Sequence, residues 1–125
     1  MGSAIEQACR ATLINQIGKD TLPQLLALLA RARVLLTPDA GPAHMATMVG
    51  TPVVGLYAAT NPARSGPYLS ARWCVNAYPQ AARAFRGVEP EELPWTHKIE
   101  EPGVMALIGV DQVTARLDEL LGSHP

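Results

Sequence analysis

Apolar residues gather in three short runs at near-equal spacing, Thr12-Leu13-Ile14-Asn15, Val34-Leu35-Leu36-Thr37 and Val53-Val54-Gly55-Leu56-Tyr57. Each has the length of a strand. The apolarity is continuous rather than alternating, which predicts strands covered on both faces, as in a parallel sheet flanked by helices. Parallel neighbours need a crossover, and residues 16–33 and 38–52 are long enough to hold a helix each. In the first interval Leu22, Leu25, Leu26 and Leu29 fall at i, i+3, i+4 and i+7, with Thr21 placed to cap and Pro23 in the first turn. In the second, a helix is predicted to start around Pro42 and to close at Gly50, before Thr51-Pro52.

Beyond Tyr57 the pattern weakens. Asn61-Pro62 and Gly66-Pro67 mark a loop leading to a lesser strand candidate at Trp73-Cys74-Val75, and Pro79 to Arg86 reads as a short helix. Residues 87–103 are rich in Pro and Glu and read as a solvated connection pinned by Trp95. A last helix is predicted with Asp111 as cap, Val113, Leu117, Leu120 and Leu121 on its buried face, and Gly122 just past its end. No internal repeat is visible. The fold class expected is α/β: a parallel sheet of three to four strands with helices on both faces, in one domain over residues 1–125.

Composition narrows the functional classes. The 125 residues are 48% hydrophobic and 17% charged, enough apolar side chain for a packed interior and too much for disorder. Ten Lys and Arg against eleven Asp and Glu leave a net charge of -1, which removes the long-range attraction that nonspecific nucleic-acid or anionic-membrane binding needs. The stretch from Ala40 to Ala63 lacks Asp, Glu, Lys and Arg, but Pro42, Gly50, Pro52, Gly55 and Pro62 interrupt it, so no transmembrane segment is expected. Glu6 and Arg10 stand where a secretory signal would be apolar, so the expected location is cytoplasmic, and Met1-Gly2-Ser3 reads as a cloning remnant. Cys9 and Cys74 form no CxxC pair and read as two buried thiols. His44, His97 and His124 share no ligand spacing with them, so neither metal nor cofactor is expected. Ser65 and Ser70 lack a GxSxG setting, and Trp73 and Trp95 lack the basic surroundings of a base-stacking platform.

Ligands of open parallel sheets bind beyond the C-terminal ends of the strands, where helix starts carry partial positive charge. Leu36-Thr37-Pro38-Asp39-Ala40-Gly41-Pro42-Ala43-His44 sits at such an end. Gly41 would admit a ligand close to the backbone, and the amides near Ala43 and His44 would face an anion such as phosphate. Asp39 would accept from sugar hydroxyls, and His44 would donate to a phosphate oxygen. The plainer alternative, commoner on spacing alone, has Asp39 capping the helix, Gly41-Pro42 forming its first turn and His44 resting partly exposed. The loop Thr60 to Tyr68 opens on the same edge, so Thr60 and Arg64 either reach the same ligand or belong to a proline-stiffened loop.

The run Gly18-Lys19-Asp20-Thr21-Leu22-Pro23, the block Asp39-Ala40-Gly41-Pro42-Ala43-His44-Met45-Ala46, then Gly50-Thr51-Pro52-Val53-Val54 and Asn61-Pro62-Ala63-Arg64-Ser65-Gly66-Pro67-Tyr68 closely resemble glycosyltransferase family 9, the lipopolysaccharide heptosyltransferases. The likeness is dense from about Leu13 to Tyr68 and looser beyond. It reverses the preference for the plainer alternative at Asp39, Gly41 and His44. It implies GT-B architecture, two Rossmann-like domains across a cleft, of which this chain would be the later part of the C-terminal, donor-binding domain. It further implies a nucleotide-diphosphate sugar, ADP-heptose, as donor and a lipopolysaccharide core sugar as acceptor. Asp39 would contact the donor sugar, the backbone at Ala40 and Gly41 the diphosphate, and His44 would lie beside it. The family usually has Ser or Thr where Ala40 stands, a hydroxyl able to contribute ~1.5 to 3 kcal/mol toward a charged acceptor. The N-terminal acceptor domain with its catalytic carboxylate has no counterpart, so no catalytic residue is expected here and the chain alone should be inert. A half-sheet should also expose an edge that favours a homo-oligomer. A non-catalytic α/β binding or scaffold domain and part of a sugar-nucleotide epimerase are the alternatives.

Overall fold

Why the chain folds around its middle apolar run is visible in the computed structural model, which describes residues 2–123. Helix α1 (Gly2–Ala8) is followed by α2 (Leu22–Arg31), β1 (Leu35–Pro38), α3 (Gly41–Met48), β2 (Val53–Tyr57), α4 (Pro62–Ser65), β3 (Val75–Asn76), α5 (Tyr78–Arg86) and α6 (Val110–Ser123). Short 3₁₀ turns lie at Tyr68–Trp73, Pro90–Glu92 and Val104–Leu107. The strands form one parallel sheet in the order β1-β2-β3, with Leu35 opposite Val53, Thr37 opposite Gly55 and Leu56 opposite Val75.

Strand β2 is covered from both sides, as its unbroken apolarity requires. Val53 packs with Leu29 of α2 and Ala43 and Ala46 of α3, while Val54 packs with Trp73 and Leu120 of α6. Both valines are fully buried. A third cluster at the C-terminal end of the sheet joins Ala58 to Tyr78, Ala81 and Ala82 of α5 and to Ile99 and Val104. Helix α2 begins as its sequence demands: the Thr21 side chain accepts from the Gln24 N–H, and the Gln24 side chain accepts from the Thr21 N–H at 2.8 Å, a reciprocal cap. The Thr51 hydroxyl donates to the Leu29 carbonyl, fastening the end of α2 to the start of β2. Ser70, also buried, accepts from the Val53 N–H at 3.0 Å, a structural use of its hydroxyl.

Four expectations are corrected. Thr12 to Asn15 is not a strand; the run is irregular, and Ile14 is 83% exposed. A strand needs a paired neighbour, and among the described residues β1 pairs with β2 alone, so its outer edge stays open. The sheet reaches three strands through the lesser candidate instead, shifted to Val75–Asn76. Helix α6 begins at Val110, so Asp111 lies inside the first turn, where its charge favours the helix dipole. The Gly109 N–H is met by the Gln112 side chain at 2.9 Å, and Gly122 falls within the helix, not past it. Cys9 is exposed, and Cys74 alone is buried.

The fourth correction concerns the connection. Trp95 is 61% exposed and pins nothing; Ile99, with no exposed surface, holds the segment, its N–H donating to the Ala59 carbonyl at 2.8 Å. Tyr78 adds a second tie, its hydroxyl donating to the His97 carbonyl at 3.0 Å. Ile99→Ala should therefore cost about 2–5 kcal/mol and Trp95→Ala less than about 1 kcal/mol, read from urea unfolding midpoints at constant m-value. Equal losses would return Trp95 to the role of anchor.

Candidate functional site

The C-terminal ends of β1 and β2 open on one edge of the sheet. Asp39 follows β1 directly, and α3 starts two residues later with Ala40 as its N-cap, in extended conformation and with no side-chain cap. The capping alternative for Asp39 is thereby corrected: the cap position belongs to Ala40, whose methyl group has no oxygen to offer. The amide expected to face a ligand at Ala43 is also used internally, donating to the Ala40 carbonyl at 3.1 Å. Pro42 brings no N–H to the first turn, and this bond tightens that turn, while the start of α3 has no side-chain cap. Gly41 is exposed, has no positive φ, and a Cβ there would meet nothing within 4 Å, so nothing inside the protein requires glycine at this position. His44 is exposed on the first turns of α3.

Asp39 and Thr60 line a common depression of about 200 Å³, so the structure does bring these two together. Thr60 is nearly buried there, while Asp39 is exposed. The same depression is lined by Lys98 and Glu100, which lie in the stretch read from sequence as a solvated connection. The sequence signal for them is the charged–apolar–charged triplet Lys98-Ile99-Glu100 around an isolated isoleucine. The loop divides at the next residue: Asn61 and Ala63 face a wider cleft of about 550 Å³ that Tyr78 and Trp95 also line. Arg64 lines neither depression, so the structure does not bring it to Asp39, although its positive charge acts on Tyr78. Burial pushes the Tyr78 phenol up, and Arg86 and Arg64 oppose the shift.

Tyr57, at the end of β2, is fully buried, with its hydroxyl hydrogen-bonded to nothing among the described residues. Its ring folds back over Gly55, where a Cβ would collide with the ring and stand 3.2 Å from the Cys74 sulfur. Burial, then the neighbouring Cys74 and Asp39, pushes the Tyr57 phenol well above the tyrosine range. Burial likewise pushes the Cys74 thiol up, against a lowering contribution from the Gly55 backbone. Among the described residues no group of three or more His, Cys, Asp or Glu is arranged to hold a metal ion, and His124 lies outside them. No helix of the described residues is long and apolar enough to cross a membrane.

Residues 2–93 match the model of glycosyltransferase family 9 (heptosyltransferase). The chain is 40% identical over 116 residues to the lipopolysaccharide core heptosyltransferase OpsX of Haemophilus influenzae, covering 93% of this chain and 33% of that protein. It is 38% identical over 58 residues to lipopolysaccharide heptosyltransferase 3 of Escherichia coli, covering 46% of this chain and 17% of that protein. The chain thus spans a third or less of the length of the curated relatives it matches. No solved structure matches it.

Tyr57→Phe should stabilise the fold by about 1 kcal/mol, since an unpaired buried hydroxyl is removed without loss of packing. Because the folded state holds the phenol neutral, the unfolded chain releases a proton above pH ~10 that the folded one keeps, and stability falls there as pH rises. Denaturation midpoints from pH 8 to 11 should show that fall in the parent and a shallower one in Tyr57→Phe; parallel profiles would show that the phenol is not held neutral.

Proposed function

The chain belongs to glycosyltransferase family 9, the heptosyltransferase family, and from that membership we propose that it is the donor-binding C-terminal portion of a heptosyltransferase acting on the lipopolysaccharide core. Its parent transfers heptose from ADP-heptose to a core sugar hydroxyl within a GT-B architecture, a reading that the parallel three-stranded sheet with helices on both faces supports. The observation that carries the proposal is the place of Asp39: between the end of β1 and the uncapped start of α3, on the wall of a depression shared with Thr60. A carboxylate there accepts from sugar hydroxyls.

The start of α3 places partial positive charge beside the donor diphosphate. Gly41, open above its Cα, leaves room for the phosphates against the backbone at Ala40 and Gly41, and His44 stands beside them. As the glycosidic bond breaks, negative charge grows on the departing nucleotide, and fixed dipoles aimed at it lower the barrier. Arg64, on the short helix α4 that follows β2, is the cation nearest in sequence to Thr60. On this reading the catalytic base is a carboxylate of the acceptor domain. The open outer edge of β1, with Leu36 46% exposed, is where the rest of the parent sheet, or a second copy of this chain, would pair.

Two outcomes follow. The 125-residue chain alone should release no ADP from ADP-heptose in the presence of core acceptor, and measurable turnover would overturn its reading as a donor-binding portion only. In the full-length parent, Asp39→Ala should lower kcat/KM by about 10²-fold while changing the unfolding free energy by less than about 1 kcal/mol. Unchanged turnover would remove Asp39 from the site.

A further inference from the structure

The depression beside Asp39 has a wall that the motif around α3 does not supply. Residues 98–100 come from a segment more than thirty positions later, folded back by one buried side chain. Ile99 is fully buried among Ala58, Tyr78 and Ala82, and its N–H donates to the Ala59 carbonyl at 2.8 Å. The residues on either side are exposed and both line the depression, so the anchor that holds the connection also presents Lys98 and Glu100 to the site. Lys98 makes no hydrogen bond or ion pair with the described residues, and neither does Glu100.

The lining decides what fits. Two carboxylates, Asp39 and Glu100, face one ammonium, Lys98, with the Thr60 hydroxyl between them in chain order and the apolar surfaces of Leu56 and Met105 beside them. This lining offers hydroxyl-accepting and hydroxyl-donating groups side by side. It suits a neutral polyol, because carboxylates are pure acceptors for hydroxyl groups, the ammonium donates to hydroxyl oxygens, and methylene and thioether surface meets the C–H faces of a ring. At about 200 Å³ the space is below the ~300–1,000 Å³ typical of a pocket for a whole drug-sized ligand, and it fits part of a donor rather than a whole nucleotide sugar.

We propose that this depression is a sugar subsite in which Glu100 and Lys98, together with Asp39, bind the hydroxyls of the donor's sugar ring, and that Glu100 sets which hydroxyl pattern is accepted. The inference rests on the donor-binding reading above and adds to it two residues outside the α3 motif. It also divides the labour: the sugar lies over β1 and β2 against the connection, while the diphosphate lies toward the start of α3.

The test compares ADP-heptose with ADP, each titrated into the 125-residue chain and followed by amide chemical shifts. The wild-type chain should bind ADP-heptose more tightly than ADP, with shifts at residues 98–101 for ADP-heptose only. Glu100→Gln and Lys98→Met, both at exposed positions and checked for an unchanged amide spectrum, should each weaken ADP-heptose about tenfold and leave ADP unaltered. If wild type binds both ligands equally, or if the two variants bind ADP-heptose as wild type does, the sugar subsite is wrong while the donor-binding reading stands. If wild type binds neither ligand, that reading fails and this one with it.

Discussion

Burial of β2 on both faces is the constraint from which the rest of the structure follows. A strand with Val53 and Val54 pointing to opposite sides cannot rest at a surface, so α2 and α3 must cover one face and α6 the other. Parallel pairing then obliges the chain to cross over between strands, and every crossover leaves its helix start at the same edge of the sheet. The edge that carries Asp39, Thr60 and the start of α3 is therefore a consequence of how the core is closed. The candidate site lies where the crossover from β1 into α3 begins.

The interior at that edge is tight in an unusual way. Tyr57 lies over Gly55 because glycine has no Cβ to oppose the ring, and Cys74 closes the space from the β3 side. The phenol is covered without a hydrogen-bond partner among the described residues, an unfavourable arrangement between Leu56 and Ala58, which line the depression. Asp39 and Thr60 follow strands β1 and β2 at this packed end of the sheet. The connection after α5 serves the same edge: its short 3₁₀ turns and its ties at Ile99 and Tyr78 return an acidic, proline-rich segment to the sheet instead of leaving it in solvent.

Periodicity and local chemistry alone determined the α/β class, α2 with its Thr21 cap, the strand at Val53–Tyr57, the neighbouring strand to within one residue at Leu35–Pro38, and the helix that starts beside Pro42, because each depends on neighbours a few positions apart. The run at Thr12 to Asn15 has the same local character and yet forms no strand, since a strand exists only with a partner and the outer edge of β1 is open. Which residue anchors the connection was likewise not local: Trp95 is larger than Ile99, but only the backbone path past Ala59 determines which of them reaches the core. For the same reason Lys98 and Glu100 could not be joined to Asp39 from spacing. Their meeting is created by a long-range hydrogen bond and one buried isoleucine, and such contacts are set by the closing of the whole sheet.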